Sequence, residues 1–289
     1  MRNLLSAEFS RLRKSRIFWA ELAWVVIGNV FMLVSSYRTY LGYGAAEDPM
    51  LESFLFEAMP MFGILAAVFS GLFLGTEYSD GTLRNKLVVG SSRIRIYLTN
   101  VIVAVAAGFA LNLAGLLTCF AVGVPMFGWP VFPAEQVAVC ILLAFLLVAA
   151  FFALSTMVVM LIASKANAAV CGIVLSIALI FAGSYLDNVL SAPEYYREGP
   201  VMMFEDGKPV LKDPSEELVE NPHYIGGTQR VIYEYLRDLL PTGQAIRLSH
   251  VADEGEESMN VVRMALLSLL FAAAVTGAGA AAFRRKDLK

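Results

Sequence analysis

The side chains able to do chemistry are few, and most lie at the edges of long apolar runs. One polar stretch, Glu77–Asn100 (EYSDGTLRNKLVVGSSRIRIYLTN), separates two such runs and carries Glu77, Asp80, Arg84, Lys86, Arg93 and Arg95, with Gly81 and Gly90 as punctuation. Mixed acids and bases on a short connection suit recognition by charge, toward a protein partner or lipid phosphates, rather than bond-making. Within the apolar runs stand one carboxylate, Glu21, and two amides, Asn29 and Asn112. An ionisable group at membrane depth is costly and often functional, while a lone amide is served by a hydrogen bond to a neighbouring helix. Glu21 lies one turn into its run, where it can reach water or pair with Arg16; Asn29 and Asn112 join helices or line a path.

Other chemistries are excluded. His223 and His250 lack the spacing of a zinc motif. Cys119, Cys140 and Cys171 all sit in apolar runs and read as small buried hydrophobes. The chain contains no G-x-x-x-x-G-K-[ST], no H-E-x-x-H and no G-x-S-x-G. No catalytic residue, no metal and no cofactor is expected on this chain. The spans hold almost no ionisable residue beyond Glu21, and neither midplane acids nor broken helices are foreseen, which disfavours a proton- or sodium-coupled transporter.

The elements that position these groups follow from composition. Of 289 residues 58% are hydrophobic and 16% charged, and mean hydropathy is +0.65; a soluble domain is about 25% charged. The expected class is therefore an all-α polytopic membrane protein. Six runs reach the ~20 apolar residues a helical span needs: roughly 17–36, 57–76, 97–123, 137–163, 167–187 and 261–283. Lys and Arg favour the cytoplasmic side. The basic residues of 1–16, those of 77–96, Lys165, and Arg284, Arg285, Lys286 and Lys289 then share one side. This predicts six spans, with both termini cytoplasmic.

Residues 1–16 form an expected interfacial helix. Leu4, Leu5, Phe9 and Leu12 share one face, with Arg11, Arg13, Lys14 and Arg16 on the rest. The segment 17–187 holds spans one to five, and 261–289 holds the sixth span and a basic tail. The loop at 124–136 has three prolines and Trp129, and predicts a compact turn in an aromatic belt. Residues 188–260 carry fourteen acidic and six basic residues, and read as a large extracellular segment. In it VMMF-EDGK-PVLK predicts a hairpin turning at Asp206-Gly207. Thr228–Leu240 predicts an amphipathic helix whose Val231, Ile232, Tyr235, Leu236, Leu239 and Leu240 pack on the spans or lie in the interface.

The run Glu77-Tyr78-x-x-Gly81-Thr82-Leu83-Arg84-x-Lys86-Leu87, then Ser92-Arg93 and Tyr97-Leu98, resembles the cytoplasmic segment between the second and third spans of ABC exporter-type (ABC type 2) permeases. The six spans, the N-terminal helix, the large segment before the last span and the tail FRRKDLK match that architecture. The family often has a proline before the Ser-Arg pair; here Val89-Gly90-Ser91 stands there.

The resemblance implies a permease subunit in a bacterial cell membrane that pairs with a second copy or a related permease. A separate P-loop ATPase subunit would hold ATP and Mg and supply the energy. Glu77, Tyr78, Asp80, Gly81, Thr82, Leu83, Arg84 and Lys86 would form the coupling segment. The cargo would be a peptide antibiotic, a drug or a lipid-like molecule, and the short chain resembles the multidrug and bacteriocin-immunity end of the family. Membrane lipid is a further partner, and nucleic acid is not one.

The residues themselves agree: Thr82 is a candidate cap, Leu83 and Leu87 share a face, Arg84 and Lys86 are available to an acidic partner or to lipid phosphates, and Glu77 and Asp80 can pair with these or with the N-terminal arginines. A different class of function also fits, a non-transporting sensor or scaffold that couples an extracellular ligand to the ATPase. An intramembrane enzyme is disfavoured, because no catalytic pair can be placed in the spans.

Overall fold

The computed structural model describes residues 2–43, 50–162, 164–197, 201–205, 208–212, 218–254 and 259–286. It has six helical stretches long and apolar enough to cross a membrane: Arg16–Gly42, Glu52–Ser79, Arg93–Phe127, Ala134–Leu161, Lys165–Ser191 and Val261–Arg285. The chain is thus a polytopic membrane protein. Each stretch exceeds the apolar run that announces it, since helices continue through the polar ends where water and caps satisfy the last backbone groups.

The N-terminal helix α1 (Arg2–Arg13) precedes α2 (Arg16–Tyr43), the first span. The second span is not one helix. It comprises α3 (Glu52–Leu55), a 3-10 turn Met59–Met61, α4 (Phe62–Phe73) and α5 (Thr76–Ser79). The break between α3 and α4 holds Glu57 and Pro60. This break was not foreseen, and it lies near the end of the span rather than at its midplane. A proline lacks the N–H that would carry a helix through from α3, and Pro60 sits instead in the 3-10 turn that leads into α4.

After α6 (Thr82–Val88) the third span runs through α7 (Arg93–Thr118), a π-helical turn Cys119–Gly123 and α8 (Val124–Phe127). The expected loop from 124 therefore starts only after Phe127. The fourth and fifth spans are α9 (Ala134–Leu161) and α10 (Lys165–Ser191). Ser92 and Ser164 cap α7 and α10, accepting from Arg95 N and Asn167 N at 3.4 Å each.

Two small antiparallel ladders follow, so the fold is not purely helical. β1 (Tyr195–Arg197) pairs with β4 (Leu218–Glu220), and β2 (Val201–Glu205) pairs with β3 (Lys208–Lys212). Glu205 faces Lys208, the register of a two-residue turn; Asp206 and Gly207 themselves lie outside the described residues. Then come α11 (Gly227–Leu239), α12 (Pro241–Ser249), α13 (Val251–Glu254) and the last span, α14 (Val261–Arg285).

Helix α9 packs against α4, α7, α10, α12 and α14, and with α4 forms the centre of the bundle. The approach of α4 to α10 is set by small residues. A Cβ at Gly71 would lie 2.7 Å from the Ala169 backbone, and one at Gly172 would lie 3.1 Å from Ala67 Cβ. Helix α12 is the surprise of the segment 188–260. It is buried from Pro241 through Leu248 against α9, α10 and the Met59–Met61 turn, not held away from the bundle.

Candidate functional site

Helix α6 begins at Gly81, whose φ of 66° is the left-handed conformation that only glycine adopts without strain. Gly81, not Thr82, occupies the capping position; Thr82 Oγ1 instead donates to Glu77 O at 3.4 Å. The turn lets α5 end and α6 leave along the bundle surface. Leu83 then plugs into a small apolar cluster with Ile96, Tyr97, Val101, Met160 and Phe283, and Leu87 packs at its edge.

Behind the turn lies a closed ring of four charges. Glu77 is fully buried. Arg11 Nη2 reaches Glu77 Oε1 at 2.8 Å and Glu8 Oε2 at 3.0 Å. Lys86 Nζ reaches Glu77 Oε2 at 2.7 Å and Glu8 Oε1 at 2.7 Å. Each cation thus meets both carboxylates, and the ring is neutral as a whole. Asn100 Nδ2 donates to Glu77 Oε2 at 3.3 Å, and the Arg11 guanidinium lies 4.2 Å from the Phe73 ring centroid. Burial of this carboxylate is bearable because two cations and an amide replace its water. The ring ties α1, α5, α6 and α7 into one unit.

A second set of contacts brings in the ends of α9 and α14. Tyr78 OH donates to Met160 O at 2.5 Å. Lys286 Nζ donates to Met160 O at 3.0 Å and to Tyr78 OH at 3.1 Å, over the Tyr78 ring. A cation on the last carbonyls of α9 suits its helix dipole, and desolvation there pulls Lys286 below the ordinary lysine range. Arg93 donates to Arg284 O at 3.1 Å and to Lys286 O, closing the end of α14.

The expected coupling residues therefore divide. Glu77, Tyr78, Leu83 and Lys86 face into the bundle, which corrects the expectation that Lys86 stays available to a partner. Asp80 and Arg84 are exposed, as are Asn85, Val88 and Val89 at the far end of α6. Val88 and Val89 are 85% and 86% exposed. Of the N-terminal cations, Arg11 is in the ring, while Arg13, Lys14 and Arg16 are exposed. Glu8, buried between Arg11 and Lys86, is a residue the sequence does not single out; a lone acid in a basic stretch is its signal.

The intramembrane polar residues lie elsewhere. Asn29 Nδ2 donates to Val25 O at 2.8 Å, and its Oδ1 accepts from Cys119 Sγ at 3.2 Å, so it joins α2 to the π-helical turn of the third span. Cys119 Sγ also lies 3.7 Å from Phe54 O, a carbonyl left at the break in the second span. Glu21 is buried, and neither of its carboxylate oxygens has a hydrogen-bond partner among the described residues; the amide nitrogen of Asn112 is likewise unpartnered.

A second buried ion network, also unforeseen, lies at the opposite end of the bundle. Asp238 is fully buried and faces Arg237 Nε at 3.8 Å, Arg247 Nη1 at 3.6 Å and, closest, Arg263. Arg237 Nη1 also meets Asp187 of α10 at 3.0 Å. Gln244 Nε2 donates to Asp238 O, and Ser268 Oγ donates to Gln244 Oε1 at 2.8 Å. Gly243 approaches Gly183 so closely that a Cβ on the latter would lie 2.9 Å from Gly243 N. Helix α11 thus turns Arg237 and Asp238 inward. Its apolar residues Val231, Ile232, Tyr235, Leu236 and Leu239 remain about half exposed, with the Tyr235 ring 5.0 Å from the Arg263 guanidinium of α14.

Among the described residues no cluster of side chains could hold a metal ion. Compared with known protein families, residues 4–183 match the one described as ABC-2 family transporter protein. No curated protein matches the sequence.

Proposed function

This chain belongs to the ABC-2 family of transporter proteins, and from that premise we propose that it is the membrane subunit of an ATP-driven exporter. Membership makes it a transport-related permease, without catalysis of its own. The finer reading is a permease that works with a separate P-loop ATPase and a second permease. It would lie in a bacterial cell membrane with α1, α6 and both termini in the cytoplasm, where the surplus of Lys and Arg at that end belongs.

One observation carries the coupling assignment. Helix α6 has a clamped face and a free face: Lys86 is locked in the charge ring with Glu77 of α5, whereas Arg84, Asn85, Val88 and Val89 stand exposed. Two adjacent valines in water are costly on a surface with no further purpose. A partner groove that takes the valines and answers Arg84 with an acid would seat this face. The contact residues are then Arg84, Asn85, Val88 and Val89, with Asp80 and Gly81 at the turn. Glu77, Tyr78, Leu83 and Lys86 transmit the motion. Arg13, Lys14 and Arg16 face the phosphates of the inner leaflet. The exposed apolar face of α11 lies in the opposite interface.

The test uses the ATPase found beside this protein in its own membrane. Val89→Asp and Arg84→Glu should abolish its co-purification and the ATP hydrolysis that depends on the permease, while protein level and melting temperature stay unchanged. Undiminished hydrolysis in both variants would refute the assignment.

A further inference from the structure

A groove of about 460 Å³ opens between α2 and the second span. Its size is that of a small-molecule site. Val25, Gly28, Asn29 and Met32, one face of α2, form one wall; Met61, Phe62, Ile64 and Leu65 form the other. Trp24 stands at the mouth. The floor is the break between α3 and α4, which places Glu57 and Ala58 in the groove.

Among these groups Glu57 differs from the rest. Asn29 is committed on both sides, to Val25 O and to Cys119. Glu57 makes no ion pair and no hydrogen bond among the described residues, and its side chain is exposed to the groove. Glu52, five residues earlier, has an evident structural use: its Oε1 accepts from Phe132 N at 2.6 Å. An uncommitted carboxylate at a helix break, bordering an apolar groove near the end of the span, is placed to meet a charged ligand.

We propose that this groove binds a hydrophobic cation, its charge on the Glu57 carboxylate and its apolar body between α2 and α4. The chemistry selects that class. The walls offer an apolar body dispersion and burial but no hydrogen bonds. The single charge attracts a cation and repels an anion, and Trp24 adds a ring face that a cation favours. Calling the ligand cargo rests on the transport reading above; binding itself does not.

The experiment is equilibrium binding of tetraphenylphosphonium to the purified full chain in lipid nanodiscs, with empty nanodiscs subtracted and no ATPase present. Tetraphenylborate, of the same shape and opposite charge, is measured separately. Saturable binding of the cation is expected at one site per chain, with no saturable binding of the anion. Glu57→Gln should weaken it tenfold or more. Gly28→Leu should do the same by filling the groove. A Cβ at Gly28 meets nothing within 4 Å, so the backbone there has room for a side chain to enter the groove, and this second variant keeps the test valid if Glu57→Gln does not fold. Trp129→Phe, outside the groove, should change nothing.

Equal binding of the two ions, or unchanged affinity in both groove variants, overturns the proposal. So does an absence of saturable cation binding, and oxidative joining of two Glu57→Cys chains would then give the groove to a second copy. Binding that persists while ATPase docking fails would sink only the transport reading.

Discussion

Removing Glu77 from the charge ring tests whether α1 and α6 form one mechanical unit. The ring holds two carboxylates and two cations and is neutral. Glu77→Gln leaves one uncompensated positive charge, shared between Arg11 and Lys86. Deleting one partner of a buried ion pair costs about 3–5 kcal/mol. The side chain of Arg11 is 30% exposed and that of Lys86 14%, so solvent relieves part of the penalty and the lower end, about 3 kcal/mol, applies. For a chain of this size that lowers the melting temperature by roughly 6 °C. Lys86→Met leaves the opposite charge and should cost a similar amount.

The double variant Glu77→Gln/Lys86→Met is neutral again and retains the Glu8–Arg11 pair. Its loss should be at most half the sum of the two single losses, a coupling of about 3 kcal/mol. The readout is thermal unfolding in nanodiscs, followed by fluorescence of the three tryptophans. Single variants within about 1 °C of the parent, or a double variant equal to the sum, would show that solvent already screens these charges and that the ring does not bind α1 to α6.

Other outcomes follow from particular contacts. Gly81→Pro cannot adopt the φ of 66° found there; it should uncouple permease-dependent ATP hydrolysis while the chain still reaches the membrane, and unchanged coupling would remove Gly81 from the lever. Asp238→Asn removes the carboxylate that three arginines share, and should lower the melting temperature about as much as Glu77→Gln, whereas His250→Gln at a half-exposed site should shift it by less than about 2 °C; equal shifts would refute the burial argument. Gly71→Leu drives a side chain into the Ala169 backbone and should cost about 1–3 kcal/mol, seen as a lower melting temperature or loss from the membrane. Deleting 201–212 should leave ATPase co-purification intact, and its loss would place that hairpin on the coupling side.

Where the sequence was informative, one physical rule acted alone. Hydropathy locates six spans because backbone in lipid has to be helical, and Gly81 marks a turn because no other residue takes that conformation cheaply. Where it was silent, the decisive contact is tertiary. Glu8 and Lys86 lie far apart in the chain, and nothing local says that they share a salt bridge. The polar string PTGQAIRLS reads as solvent-facing; it is buried because Thr242 Oγ1 donates to Leu179 O at 2.7 Å and Gly243 fits against Gly183. The apolar stripe of α11 was legible, but its orientation was decided by Arg237 and Asp238, whose partners lie in α10, α12 and α14. Glu57 hid in the sequence because its span was taken to begin there.

The second span connects the two candidate sites. It carries Glu77 in the charge ring at one end and Glu57 at the break near the other. Twenty residues of helix rise about 30 Å, the thickness of the hydrocarbon layer. Between them α4 is a continuous rod, packed on α10 through Gly71 and Gly172 with no large side chain interposed. Such a smooth contact resists separation yet permits sliding. Under the proposed coupling, a push on the exposed face of α6 would be held by the ring, pass to α4 through α5, and reach the break between α3 and α4. At the break the α-helical ladder gives way to a 3-10 turn, and there the groove carries its carboxylate. On the two proposals together, docking at Val88 and Val89 and ligand binding at Glu57 would be linked through the second span.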